Sequence, residues 1–456
     1  MPPAVGSRPR GEEEHEDMGT EDTTTAAGRA PLGPRGVAAA SLIGTTIEYY
    51  DFTVYSTSVV VVLGALFFPA ADPLVSSLVA LSTIGVGFLA RPVGGLLFAH
   101  FGDRWGRRGA LVVSLVLMGA STVAVGLLPT YAEVGVLAPV LLVALRFVQG
   151  LAVGGEWGGA VLLAVEHAPR EKRSFYGSFP MFGSPLGILS SAGVIALFQL
   201  MPAEQFRAWG WRMPFLLSVV LLAVGLYVRL RVSETTQFLA ARQERAVVRV
   251  PLVDVLRRFW PAVLVGAGVS FLPHAGYIVA TFLPSLATTA YGLPKSAATT
   301  ALIIASALMV VALYAFGRRL DRHEPSGFTA LSGVLVALWA FPAFLIAESG
   351  GTAGLVVAVS VNFVFNSAAI AAVPALVARL FPANVRYTGI STAYQLAAVV
   401  GGGLLPILVS YLVKTTGGAF WPAAALMSAS GLLAIGAAAW CRRLPVLADE
   451  VATTPA

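Results

Sequence analysis

The chain has 456 residues, 57% of them hydrophobic and only 12% charged. Soluble domains carry about 25% charged residues, so this composition excludes a soluble fold and marks a polytopic membrane protein. The net charge of +6 does not signal nucleic acid, because the arginines punctuate the ends of apolar runs instead of forming one basic stripe.

Residues 1–36 are polar, Pro/Gly-rich and acidic at 12–17, and read as a disordered cytoplasmic tail with no cleavable signal peptide. The first apolar run, 38–66, is long enough to cross a bilayer as a helix. It carries Glu48 and Asp51 near its middle, three residues apart and therefore on one helix face, which Tyr55 continues. A charge at mid-bilayer depth costs a few kcal/mol, so such residues face a cavity or a partner. Two acids this close do not both ionise readily in a low dielectric, which predicts a proton site. The alternative, an acid that only neutralises an arginine, accounts for one of the two.

Further apolar runs follow at 74–98, 109–128, 134–164, 174–200 and 213–230. After a polar segment come 260–288, 295–316, 327–347, 352–378, 387–413 and 418–440. The expected fold is all-α and integral to the membrane, with twelve transmembrane helices in two six-helix bundles. The expected division is a tail 1–36, a bundle 37–230, a cytoplasmic connector 231–258, a bundle 259–444 and a tail 445–456. Twenty basic residues fall in alternate loops and after the last run, against four (Arg207, Arg212, Lys295, Lys414) in the others. The positive-inside rule then places both termini in the cytoplasm and the chain in the plasma (inner) membrane.

Internal repeats support two halves. The loop after span two reads AHFGDRWGRR and the loop after span eight reads GRRLDRHE, with Asp103-Arg104 and Asp321-Arg322 at matching points. The junction after span four, EHAPREKRSFYGS, and that after span ten, RLFPANVRYTGIS, each place a proline four residues before an arginine. Repeats a half-chain apart are a mark of secondary transporters. Cys441 is the sole cysteine, the five histidines are scattered, and no phosphate-binding G-x-x-x-x-G-K-S/T motif is present. No metal, no cofactor, no enzyme activity and no ATP-driven step is expected.

The segment FGDRWGRR resembles the signature of the major facilitator superfamily between its second and third spans, with Ala99 where the signature has its first Gly. That departure is expected to relax a close helix approach. GTTIEYYDFTVY, LRFVQGLAVGGEWGGA, EHAPREKRSFYGS and WGWRMPF narrow the resemblance to the metabolite:proton symporters, such as proline/betaine, shikimate and 2-oxoglutarate carriers. The resemblance implies two pseudo-symmetric bundles around a central cavity lined by spans one, four, seven and ten. It also implies a cytoplasmic latch, assigned here to Asp103, Arg104, Gly106, Arg107 and Arg108, with Glu156 in a supporting role.

Arg146 lies about 12 residues, ~18 Å, into span four, and Asp51 about 13 residues, ~20 Å, into span one from the other side. Both depths fall near the middle of a ~30 Å core, so an ion pair between them is geometrically possible. Proton coupling is therefore assigned to Asp51 and Glu48. Substrate contacts are assigned to Arg146, Gln149, Tyr55, His274, Tyr277, Asn362 and Asn366. Arg91 is expected to snorkel to the inner interface, and Trp157 to serve in packing. The expected function is proton-coupled symport of a small carboxylate-bearing metabolite by alternating access, by a chain that works as a monomer with the bilayer, protons and its substrate as partners. Alternatives are a drug:proton antiporter, a sugar porter, or a sensor with a transporter fold.

Overall fold

A computed structural model describes residues 32–69, 73–235, 251–276 and 278–445. The tail residues 1–31 and 446–456, residues 70–72, connector residues 236–250, and Tyr277 lie outside the described residues. Among the described residues every regular element is a helix. Among the described residues eleven helices are long and apolar enough to cross a membrane. Span one makes the twelfth: Pro34–Ser58 runs through a π-helical turn, Val59–Leu63, into Gly64–Phe67. It carries Thr45, Thr46, Glu48 and Asp51 in its middle.

Spans two to six are Pro73–Trp105, Arg107–Leu127, Leu137–Glu166, Phe179–Gln199 and Ser218–Leu230. A short helix, Pro251–Arg258, precedes span seven. Span seven is Trp260–Ala275, continued by a π turn Ile278–Phe282 and Leu283–Thr289. Spans eight, nine and ten are Lys295–Leu320, Pro325–Ser349 and Gly351–Arg379. Span eleven is Arg386–Ala397, a π stretch Ala398–Leu404, and Leu405–Thr415; span twelve is Trp421–Cys441. The perimeter is apolar and uncovered: Leu89 is 75% exposed, Leu338 72% and Ile407 68%. A surface of that kind is unstable in water and suited to lipid tails.

Lipid provides no hydrophobic drive between helices, so close packing must come from small residues. Spans two and four show this. A Cβ at Gly94 would meet the backbone carbonyl of Leu151, one at Gly150 the carbonyl of Gly87, and one at Gly154 the carbonyl of Arg91. The two backbones are in direct contact along this line. One turn further along span four, Gly158 and Gly159 make room for Tyr387 and Ser391 of span eleven. Gly154→Ala is expected to lower stability in detergent by about 1–3 kcal/mol through overpacking. Gly193→Ala is the control, since nothing lies within 4 Å of its added Cβ. Thermal unfolding of both variants checks this; equal midpoints would show that the crossing is not tight.

The two six-helix halves meet along two seams, spans two and four against eleven, and span five against eight. Spans from both halves enclose a central cavity of about 120 Å³.

Candidate gate, proton relay and central cavity

The latch residues gather where the turns between spans two and three, four and five, and ten and eleven converge. Asp103 accepts backbone N–H bonds from Tyr387 (3.2 Å) and Thr388 (2.8 Å), at the first turn of span eleven. A carboxylate there satisfies free N–H groups and meets the positive end of the helix dipole. Gly106, at φ 123°, takes a backbone conformation that other residues rarely adopt, and turns the chain into span three. That turn delivers Arg107, fully buried, to Glu166 at the end of span four. Glu166 also accepts from Arg386 of span eleven at 2.7 Å, while Arg107 donates to the Ala383 carbonyl at 2.9 Å. One carboxylate from the first half thus holds two guanidinium groups, one from each half.

Other assigned latch residues lie elsewhere. Arg104 is exposed. Arg108 turns back to its own half, its backbone N–H on Glu234 at 3.1 Å and its guanidinium on the Leu230 carbonyl. Glu156 binds Arg229 of span six, with Nη1 to Oε2 at 2.9 Å, and accepts from Ser114 at 3.1 Å. It therefore ties spans three, four and six together within the first half instead of bridging the halves. The close approach expected to weaken at Ala99 is made at Gly102, where a Cβ would strike the Tyr387 ring.

The internal repeat has a structural counterpart. Asp321, at the end of span eight, accepts the Phe175 N–H at 3.0 Å, at the start of the helix leading into span five. The aspartate of each half's Asp-Arg pair thus accepts from the start of a helix of the other half, span eleven for Asp103 and the junction helix Arg173–Gly177 for Asp321. Burial raises the Asp321 carboxyl above its ordinary range, and the backbone N–H groups of Phe175 and Ser174 oppose that rise.

Deep in the first half, Asp51 and Arg146 do not form the expected ion pair. Asp51 is 1% exposed and accepts from Thr122 at 2.8 Å and Ser218 at 2.9 Å, between spans three and six. Arg146 lies with its guanidinium carbon 3.7 Å from the Tyr55 ring centroid and donates to Gln149 Oε1. Gln149 Nε2 donates to Thr122 at 2.8 Å. The acid and the guanidinium are thus joined through Thr122 and Gln149, in a line of side chains that ends on Ser218. Sequence spacing fixed their depth but not their rotation about each helix.

Glu48 shares a small void with Arg91, Arg146, Gln149, Phe52 and Phe88. Its Oε2 has no hydrogen-bond partner among the described residues, and neither has Arg146 Nε. Arg91 does not snorkel outward. It lies 4.4 Å from the Phe88 ring centroid and 5.7 Å from that of Phe52, facing this void. Tyr55 hydrogen-bonds Thr83 of span two.

Span one lines the central cavity through Thr45 and Tyr49, and the void through Glu48 and Phe52. Of the assigned second-half residues, His274 and Asn366 line it; Asn362 is buried outside its lining. His274 Nδ1 lies 2.8 Å from the Ser270 carbonyl and donates to it. Trp157, read from sequence as packing, forms one wall and stacks on Tyr394 with centroids 3.5 Å apart. Its indole N–H and Asn366 Oδ1 lack partners among the described residues. Spans five, eight and eleven line the cavity too, through Ser184, Met309 and Tyr394.

Two bundles packed together through repeat-derived contacts, with charges buried in one and a cavity between them, define a secondary transporter of small molecules. A model of the Major Facilitator Superfamily matches residues 41–393, and the chain belongs to that superfamily, in its metabolite transporter branch. It is 38% identical to the inner membrane metabolite transport protein YhjE of Escherichia coli K12, over 85% of this chain and 90% of that protein. It is 35% identical to the shikimate transporter of the same organism, over 88% and 92% of the two chains. Its fold is similar to the proton:xylose symporter XylE, with a TM-score of 0.74 and 17% identity over 91% of this chain and 98% of that one.

Proposed function

We propose that the chain carries a small carboxylate-bearing metabolite across the inner membrane together with a proton, with both termini and the Asp103 gate on the cytoplasmic side. The observation behind this reading is the charge balance inside the first half. Arg91 and Arg146 stand against two carboxylates: Glu48, beside the same void, and Asp51, linked through Thr122 and Gln149. Net charge buried in a membrane is costly. When one acid takes a proton, the group gains a positive charge, and an entering carboxylate restores neutrality. Proton and anion are then favoured together and disfavoured singly, which is the differential binding that symport requires.

The line of hydrogen bonds accommodates both protonation states. Thr122 Oγ1 lies 3.1 Å from the Met118 carbonyl, an alternative acceptor. A protonated Asp51 can donate to Thr122 while Thr122 donates to Met118. A monocarboxylate or zwitterion of modest size suits the cavity, whose aromatic walls carry one free N–H and one free amide oxygen. Purified protein in liposomes under an imposed inward pH gradient is expected to accumulate an organic acid found by thermal-shift screening, and not its neutral amide. Equal accumulation of acid and amide, or accumulation without a gradient, would overturn the reading.

A further inference from the structure

Beside the seam between spans five and eight lies a groove of about 700 Å³ that the transport reading does not use. It is lined by Arg35 from the first turn of span one, Lys172 from the junction after span four, and Arg318 and Arg322 from the end of span eight. Among the described residues two carboxylates share it, Glu171 and Asp321. Asp321 is committed to the Phe175 N–H. Four cations against two carboxylates leave an excess of positive charge; Lys172 is attracted to Asp321, and none of the four comes within 4.0 Å of a carboxylate oxygen among the described residues. A second groove, of about 470 Å³, shares Arg318 and Arg322 and adds Arg319 and His323.

The surface leading to this groove is apolar. On span eight, Ile304 (39% exposed), Leu308 (43%), Val311 (66%) and Tyr314 (49%) follow at helical spacing, and Arg318 comes one turn later. From Ile304 to Arg318 this stripe rises about 21 Å, more than the ~15 Å of one leaflet's hydrocarbon. Arg318 lies 5.7 Å from the Tyr314 ring centroid, at the point where apolar surface gives way to charge.

We infer that this groove binds the phosphate of an anionic phospholipid, with its acyl chains along the exposed face of span eight. Basic pockets between helices at a membrane face recognise such headgroups. A free phosphate would use the same cations but not the apolar stripe. Because the lining comes from both halves, the lipid ties Arg35 and Lys172 to Arg318 and Arg322 and favours the state in which this end is sealed.

The test uses full-length protein in detergent, with phosphatidylglycerol, phosphatidylcholine or inorganic phosphate added in turn. Native mass spectrometry and the thermal unfolding midpoint are the readouts. Wild type is expected to retain phosphatidylglycerol and to unfold at higher temperature with it than with phosphatidylcholine. Arg318→Gln/Arg322→Gln is expected to bind it about 30-fold more weakly, from the loss of two basic contacts. Arg35→Gln/Lys172→Gln, from the other half, should lose retention similarly, and Arg207→Gln should not. Undiminished retention in both double variants, equal stabilisation by phosphatidylcholine, or full stabilisation by inorganic phosphate alone would each overturn the lipid site. None of these readouts depends on transport, so the inference stands or falls apart from the symport reading.

Discussion

Asp51→Asn is expected to abolish uphill accumulation while leaving exchange of substrate across the membrane. The side chain is enclosed by neutral donors, Thr122 at 2.8 Å and Ser218 at 2.9 Å. An amide fits the same space, accepting from one hydroxyl and donating to the other, with Thr122 redirected to the Met118 carbonyl. The variant therefore resembles the protonated carrier permanently. Arg91 and Arg146 then face one carboxylate instead of two, and a substrate anion is bound with undiminished strength. The loaded carrier can reorient, so labelled substrate still exchanges. The empty carrier retains a buried positive charge and cannot return, so net flux stops. One proton moved across one pH unit supplies about 1.4 kcal/mol, a tenfold substrate gradient. Wild-type liposomes should approach that ratio and Asp51→Asn liposomes should stay near unity. Glu48→Gln is the companion measurement, because Glu48 lines the void that holds Arg91 and Arg146 and has an oxygen without a partner among the described residues. Accumulation retained by one variant assigns the proton to the other acid. Accumulation retained by both removes the charge-balance mechanism.

The fold was legible because a bilayer allows few solutions. Helix length, the distribution of arginines and the half-chain repeat each have one simple physical source, and together they gave twelve spans in two halves. The repeated Asp-Arg pair was legible in the same way, and both aspartates cap a helix of the opposite half. Charge was harder to interpret where two causes place it at the same position. Arg229 and Arg386 were counted as topology signals, yet each is buried in an ion pair, with Glu156 and Glu166. The available clue was Glu166 itself, a carboxylate at the end of an apolar run, which would need a buried cation. Rotation about a helix axis is a second limit. Depth along spans one and four put Asp51 and Arg146 at the same level, but only packing could show that Asp51 turns toward spans three and six. Arg91 was misjudged for a related reason. Its long stem can reach the interface or the interior, and the Phe52 and Phe88 rings favour the interior.

Glu166→Gln should open the gated end, whereas Glu156→Gln should weaken the fold and leave the gate shut. Both carboxylates are buried and both hold guanidinium groups, so a stability assay alone would not separate them. Removing the charge of Glu166 takes the shared carboxylate from Arg107 and Arg386, and breaking a buried pair from one side costs about 3–5 kcal/mol. Arg386 belongs to the second half, so the cost weighs on the sealed state, and opening lets water reach that guanidinium. A change of about 3 kcal/mol shifts the ratio of sealed to open molecules on the order of 100-fold. Asp321 still holds Phe175, so the change is in population rather than in architecture. Glu156 and Arg229 both lie in the first half, packed against Gly44, where a Cβ would strike both side chains. Orphaning Arg229 lowers the unfolding temperature in either conformation alike. Spin labels at Arg104→Cys and His323→Cys, both exposed and in opposite halves, on a Cys441→Ala background, report the separation. A longer distance population is expected with Glu166→Gln and not with Glu156→Gln. Identical distance distributions in the two variants would show that Glu166 is a structural ion pair and that the gate rests on Asp103 and its two backbone hydrogen bonds.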